Sequence, residues 1–186
     1  TTALRAFNLL RSSKLTDKNN IGITGISMGG YSTTLMSGLL GDKVKAAFSA
    51  YGCGFYEYGT VFGTYLNPES TISPNYGKTE EIYNWLKYFD AGRRAVNIKA
   101  NMFFGAAAND VFYYPSGVMK TYDTAENAAS RNIYFAPNQS HASSQIGGTE
   151  DSTKRSIWKS EDSFFDYYLK GEGDKPVSVE FASDIY

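Results

Sequence analysis

The chain has 186 residues, 42% of them hydrophobic, and a formal net charge of −1, which is enough apolar material for one packed domain and excludes a disordered chain. No basic stripe is available to neutralise phosphates, so nucleic acid is not an expected partner, and no apolar run approaches the roughly 20 residues of a membrane helix, so no membrane partner is expected. The single cysteine, Cys53, excludes an internal disulfide.

In chain order, Ala3–Leu10 spaces Leu4, Ala6, Phe7 and Leu10 as one face of a helix, and a polar turn follows at Lys14–Asn20. Ile21–Ile26 is a short apolar run between turn residues, the mark of a buried strand. Gly29–Leu40 predicts a helix that stops near Gly41. Val44–Tyr51 predicts a second strand. Residues 52–78 form a long irregular stretch rich in Gly, Pro, Asn and aromatics, expected to be a lid-like or binding loop. Glu80–Phe89 predicts a helix, Ile98–Ala106 a third strand, Ser116–Ala129 a helix opened by Pro115, and Arg131–Ala136 a fourth strand. A last helix spans about Glu150–Leu169, and Pro176–Phe181 reads as a further extended segment.

Strands separated by helices imply crossover connections and a mostly parallel sheet, so the expected fold is α/β, a three-layer sandwich, with residues 1–186 forming one domain. Fifteen Tyr and twelve Phe, with many Asn, Ser and Thr, suit a carbohydrate-facing secreted protein, with an ordinary tyrosine-rich surface and core as the alternative. The expected location is therefore extracellular or periplasmic in a bacterium. The absence of a leader before Thr1 does not bear on this, because the chain does not open with Met.

Gly25-Ile26-Ser27-Met28-Gly29 fits the pattern G-x-S-x-G, and it closes a predicted strand and opens a predicted helix. Such a sharp strand-to-helix turn projects Ser27 above the sheet, close to the positive end of the helix. Gly25 and Gly29 are expected to lack side chains because strand and helix backbones meet there. A serine hydroxyl needs a base, and His141 is the sole histidine. It sits in a polar loop between the fourth strand and the last helix. A structural histidine is the alternative reading.

Asp110 follows the third strand directly, giving the order Ser27, Asp110, His141. Asp123 and Glu126 compete for this role, but both fall in the predicted helix that follows. Asp90 precedes the strand, on the opposite edge of the sheet. The backbone N–H of Met28 supplies one oxyanion donor, and no second donor is evident. Phe55, Tyr56, Tyr58, Phe62 and Tyr65 are expected to wall a pocket, with Tyr56, Tyr58 and Phe62 as substrate-binding residues. Packing of these aromatics on the sheet is the alternative. No cofactor is implied. One His and one Cys without carboxylates at ligand spacing give no metal site, and the four Met are dispersed.

The run Leu15-Thr-Asp17-Lys18-Asn-Asn-Ile21-Gly22-Ile23-Thr-Gly25-Ile-Ser27-Met-Gly29-Gly30 resembles the α/β-hydrolase superfamily. The likeness is to the branch of dienelactone hydrolases, acetyl xylan esterases and prolyl-oligopeptidase-like domains. Val44–Tyr51, the Asp110 and His141 loops and Phe165-Asp-Tyr-Tyr-Leu169-Lys170-Gly171 extend it over most of the chain. The likeness implies the C-terminal half of the fold, with the N-terminal strands that precede the nucleophile's strand missing. An N-terminal segment or a second chain is then expected to complete the sheet. The implied function is a serine hydrolase acting on carboxylic esters, including acyl esters of carbohydrates, through an acyl-enzyme. Alternatives are a prolyl-oligopeptidase-like peptidase and a non-catalytic binding module that keeps the three residues.

Overall fold

The computed structural model describes residues 2–58, 80–141 and 156–177. The elements run α1 (Thr2–Ser12), β1 (Gly22–Ile26), α2 (Met28–Leu40), β2 (Ala46–Ala50), α3 (Glu80–Phe89), α4 (Ala91–Ala95), β3 (Asn101–Ala107), α5 (Pro115–Thr124), β4 (Ser130–Ala136) and α6 (Ser156–Phe165). Single turns of 3-10 helix lie at Gly41–Lys43 and Tyr56–Tyr58, and a π-helical turn, Asp166–Lys170, extends α6. That turn stops at Gly171, whose φ of 75° is the left-handed value glycine adopts without steric penalty.

The four strands form one parallel sheet in the order β1-β2-β3-β4. Alternation along each strand sorts side chains onto two cores. Ala47, Met102, Phe104 and Ala106 join Phe7, Tyr31, Met36, Leu86 and Val118 on the face covered by α1 to α5. Ala46, Phe48, Ala50, Phe103 and Ala107 join Ile157 and Phe164 of α6 on the other face. This is the three-layer α/β sandwich that the alternating pattern predicts.

β2 and β3 are buried throughout, as central strands covered on both faces must be, whereas β1 is half-exposed along its length. Small residues let the layers close. A Cβ on Gly38 of α2 would stand 2.3 Å from the carbonyl oxygen of Arg94 in α4.

Several boundaries differ from expectation for identifiable reasons. β2 stops at Ala50 because Tyr51 turns to φ 49°. The helix expected over Ser116–Ala129 ends at Thr124, so Glu126 lies in the following turn. There, Ala129 N–H donates to Ala100 O and Asn127 Nδ2 to Val96 O, contacts to distant backbone that outbid continued helix. The short α4 was not expected. It is capped by Asp90, whose carboxylate accepts from the Arg93 N–H.

Of the expected lid-like stretch 52–78, Gly52–Tyr58 is described, and its start packs into the body of the protein. A Cβ on Gly52 would lie 2.4 Å from Tyr31 N, and one on Gly54 1.7 Å from Gly92 N. The rest, with Phe62 and Tyr65, lies outside the described residues, as do 150–155 of the last predicted helix and 178–181 of the extended tail.

Candidate active site

Parallel strands place their C-terminal ends along one edge, and ligand sites of open α/β sheets form there. Ser27 follows β1, Asp110 follows β3 and His141 follows β4, so all three lie at that edge. Ser27 Oγ is 2.8 Å from His141 Nε2. His141 Nδ1 is 2.9 Å from Asp110 Oδ2 and 3.1 Å from Oδ1.

The proton positions follow from the donor inventory. An ionised carboxylate only accepts, so Nδ1 carries the proton toward Asp110 and Nε2 is left to accept from the Ser27 hydroxyl. An arrangement of this kind can draw the proton off Ser27 and hold the resulting imidazolium against a buried negative charge.

Ser27 sits at φ 58°, ψ −118°, outside the regions open to L-residues without strain. The surroundings fix it there. Its N–H donates to Ala50 O at 2.8 Å, and its carbonyl accepts from Tyr31 N–H at 3.0 Å. A Cβ on Gly25 would be 2.4 Å from Gly29 O, and one on Gly30 would be 2.5 Å from Ala50 O. A Cβ on Gly29 would meet nothing within 4 Å. The expectation that Gly29 must lack a side chain is therefore corrected: its backbone meets Gly25, but Gly25 and Gly30 are the positions where an added Cβ would strike backbone. Met28 is the first residue of α2, directly after Ser27, so its N–H belongs to the helix's first turn.

The Asp110 side chain has no solvent exposure, and its Oδ1 accepts from the N–H groups of Phe112 (2.8 Å) and Tyr113 (2.9 Å). Its loop is laced to the His141 loop by Ala108 N–H to Ala136 O and Asn109 N–H to Gln139 O, both 3.0 Å. The imidazole sits in an aromatic frame. Phe112 meets it edge-on at 4.8 Å, Tyr51 edge-on at 6.0 Å, and Tyr113 stacks at 5.8 Å. Asp123 and Glu126 are exposed residues, and neither enters this arrangement. Asp90 is fully buried and serves the 53–58 segment instead, accepting from Phe55 N–H at 3.0 Å and Tyr56 N–H at 3.3 Å.

Tyr56 does not line an open wall. Only 4% exposed, its ring is stacked between Tyr31 (4.8 Å) and Trp85 (5.7 Å). The expectation that its ring binds substrate is corrected, because the aromatic stack buries it; only its hydroxyl comes near the site. The Tyr58 side chain and Phe62 lie outside the described residues. Tyr51, Asp90 and Tyr113 are site-building residues that motif reading passed over. Their signal is tertiary, apart from the helix-capping position of Asp90.

Burial pushes the phenol of Tyr113 up to about 12, and it raises Tyr31 and Tyr56 as well. An unfolded phenol titrates near 10, so above that pH the unfolded chain gives up protons that the folded chain retains. Stability is therefore complete below about pH 10 and falls as pH rises toward 12. Urea unfolding across this range should show that fall, and Tyr113→Phe should make it shallower. A flat profile would contradict the buried-phenol account.

Comparison with known proteins finds likenesses to hydrolases. The sequence profile of the prolyl oligopeptidase family matches residues 3–172. No curated protein matches the chain. Among solved structures, an acylaminoacyl peptidase of Pyrococcus horikoshii is similar with a TM-score of 0.68 and 24% identity, over 91% of this chain and 27% of that one. Acetyl xylan esterase 1 of Thermoanaerobacterium sp. JW/SL YS485 gives 0.67 and 17%, over 87% and 49%. An acetyl xylan esterase of Paenibacillus sp. R4 gives 0.69 and 19%, over 90% and 51%. The chain thus spans between about a quarter and a half of the length of these three structures.

Proposed function

This chain belongs to the prolyl oligopeptidase family, and on that footing we propose that it carries the nucleophile, acid and base of a serine hydrolase that cleaves carboxylic esters. The observation that supports this most is the 2.8 Å approach of Ser27 Oγ to His141 Nε2, with Ser27 held at a strained turn and His141 backed by buried Asp110.

Ser27 Oγ attacks the ester carbonyl as His141 Nε2 takes its proton, and the tetrahedral oxyanion forms beside the Met28 N–H. The C–O bond to the alcohol breaks, and His141 returns the proton to the departing oxygen. Water, deprotonated by His141, then attacks the acyl-Ser27 ester; the acyl C–Oγ bond breaks, His141 returns the proton to Ser27 Oγ, and the carboxylic acid is released. Asp110 stays ionised throughout and offsets the charge on the imidazolium.

An acylated carbohydrate is the substrate class we favour, because the two acetyl xylan esterases share their fold with this chain over about half their length. The family match and the likeness to an acylaminoacyl peptidase favour a peptidase as the second reading. We further propose that β1, which among the described residues pairs only with β2 and is half-exposed along its length, takes a strand on its other side from elsewhere in the full protein or from a second chain. That strand's end would also be the place for a second oxyanion donor.

The full protein should hydrolyse acetylated xylo-oligosaccharides and leave N-acyl peptide anilides intact. A kcat/KM on the anilide equal to or above that on the ester would establish the peptidase reading. Turnover of neither, with no modification of Ser27 by a fluorophosphonate, would leave a binding module.

A further inference from the structure

Tyr113 touches each working part of the site through a different piece of itself. Its backbone N–H donates to Asp110 Oδ1 at 2.9 Å, and its ring stacks on the His141 imidazole at 5.8 Å and 28°. Its hydroxyl reaches across to the elbow and lies 2.9 Å from the thioether sulfur of Met28. Sulfur in a thioether has no proton, so the phenol donates and Met28 accepts. The Tyr56 hydroxyl joins them, 3.3 Å from Tyr113 Oη and 3.5 Å from Met28 Sδ. Tyr56 is itself fixed by its stack and by the Asp90 carboxylate.

Met28 would otherwise be poorly held, since it is 52% exposed and sits at the open first turn of α2, where Ser27 makes no side-chain cap. Tyr113, by contrast, is 1% exposed and rigidly packed. Of the two phenols on the Met28 sulfur, the nearer, at 2.9 Å against 3.5 Å, therefore comes from the loop that also carries Asp110.

We infer that Tyr113 is a positioning residue, whose hydroxyl holds Met28 in register with the Asp110 loop so that the Met28 N–H faces the developing oxyanion while His141 keeps its orientation. This rests on the serine-hydrolase reading of the site. A donor that must meet charge appearing only in the transition state is sensitive to small displacements, so loosening it lowers kcat and leaves substrate binding nearly unchanged.

Tyr113→Phe keeps the ring stack and the backbone bond to Asp110 and removes the hydroxyl alone. In the full protein it should lower kcat about 3- to 10-fold, the range of one ordinary hydrogen bond, with KM within about twofold of wild type. Met28→Leu removes the acceptor and should produce the same kcat-selective loss. The loss in the double variant should fall short of the product of the two single losses, because both delete the Tyr113–Met28 contact, while each also removes one contact of the Tyr56 hydroxyl.

Unchanged kcat in Tyr113→Phe, a loss confined to KM or thermal stability, or losses that multiply in the double variant would overturn the inference alone. If Tyr113→Phe does not fold, Met28→Leu must show the kcat-selective loss by itself, and failure to do so overturns it. A wild-type protein without Ser27-dependent turnover overturns both this inference and the hydrolase reading.

Discussion

Ser27→Gly should abolish turnover and yet give a more stable protein than Ser27→Ala. Either substitution removes the nucleophile, so kcat should fall by about four orders of magnitude or more, to what binding and the remaining donors supply. Their stabilities should differ because position 27 lies at φ 58°, ψ −118°, where a Cβ is costly. Alanine keeps that strain, of order 1–3 kcal/mol, whereas glycine relieves it and loses about 0.5–1 kcal/mol of backbone entropy in exchange. The glycine variant should therefore exceed the alanine variant by about 1 kcal/mol in denaturant unfolding. Equal stabilities would contradict the strained elbow, and retained turnover in either would contradict the nucleophile.

Asp110→Asn should be nearly as damaging to catalysis while sparing the fold. The asparagine carbonyl can still accept from the N–H groups of Phe112 and Tyr113, so the loop keeps its shape. Its amide then faces His141 Nδ1, where a carboxylate oxygen stood at 2.9 Å. An amide donates there, so the imidazole must carry its proton on Nε2, which can no longer accept from Ser27. Loss of the tautomer and of the compensating charge together should reduce kcat by about 10,000-fold, with KM little changed. A loss below tenfold would remove Asp110 from the role. Asp110→Ala also strands both backbone N–H groups, so it should add a stability loss that Asp110→Asn lacks.

The site was legible in the sequence to the extent that its signals were local. G-x-S-x-G between an apolar strand and a helix marks an elbow by itself, and a sole histidine leaves one candidate base, with a structural histidine as its alternative. Asp110 was distinguishable from Asp123 because a short loop directly after a strand end differs from a helical position, whereas Glu126, read into the same helix, lies in the turn beyond its end. The four strands were legible for the same reason, as short apolar runs bounded by turn residues.

What stayed hidden is non-local. Whether Gly29 or Gly30 meets a backbone depends on where Ala50 O stands, a residue of another strand. The end of α5 is decided by the carbonyls of Val96 and Ala100, against a sequence whose own propensity favours helix. α4 is a single turn, too short to show a period. Tyr56 reads as a pocket aromatic until its stack with Tyr31 and Trp85 is known. Nothing in Asn109-Asp-Val-Phe-Tyr113 announces that the last hydroxyl reaches Met28.

The most direct measurement is peptide mapping of the full protein after treatment with a fluorophosphonate. A single modification on Ser27, abolished by His141→Ala, is the expected result, because only a serine whose proton is drawn off by that imidazole reacts at an appreciable rate. An unmodified Ser27 in the wild-type protein, or equal labelling when His141 is absent, would contradict the account.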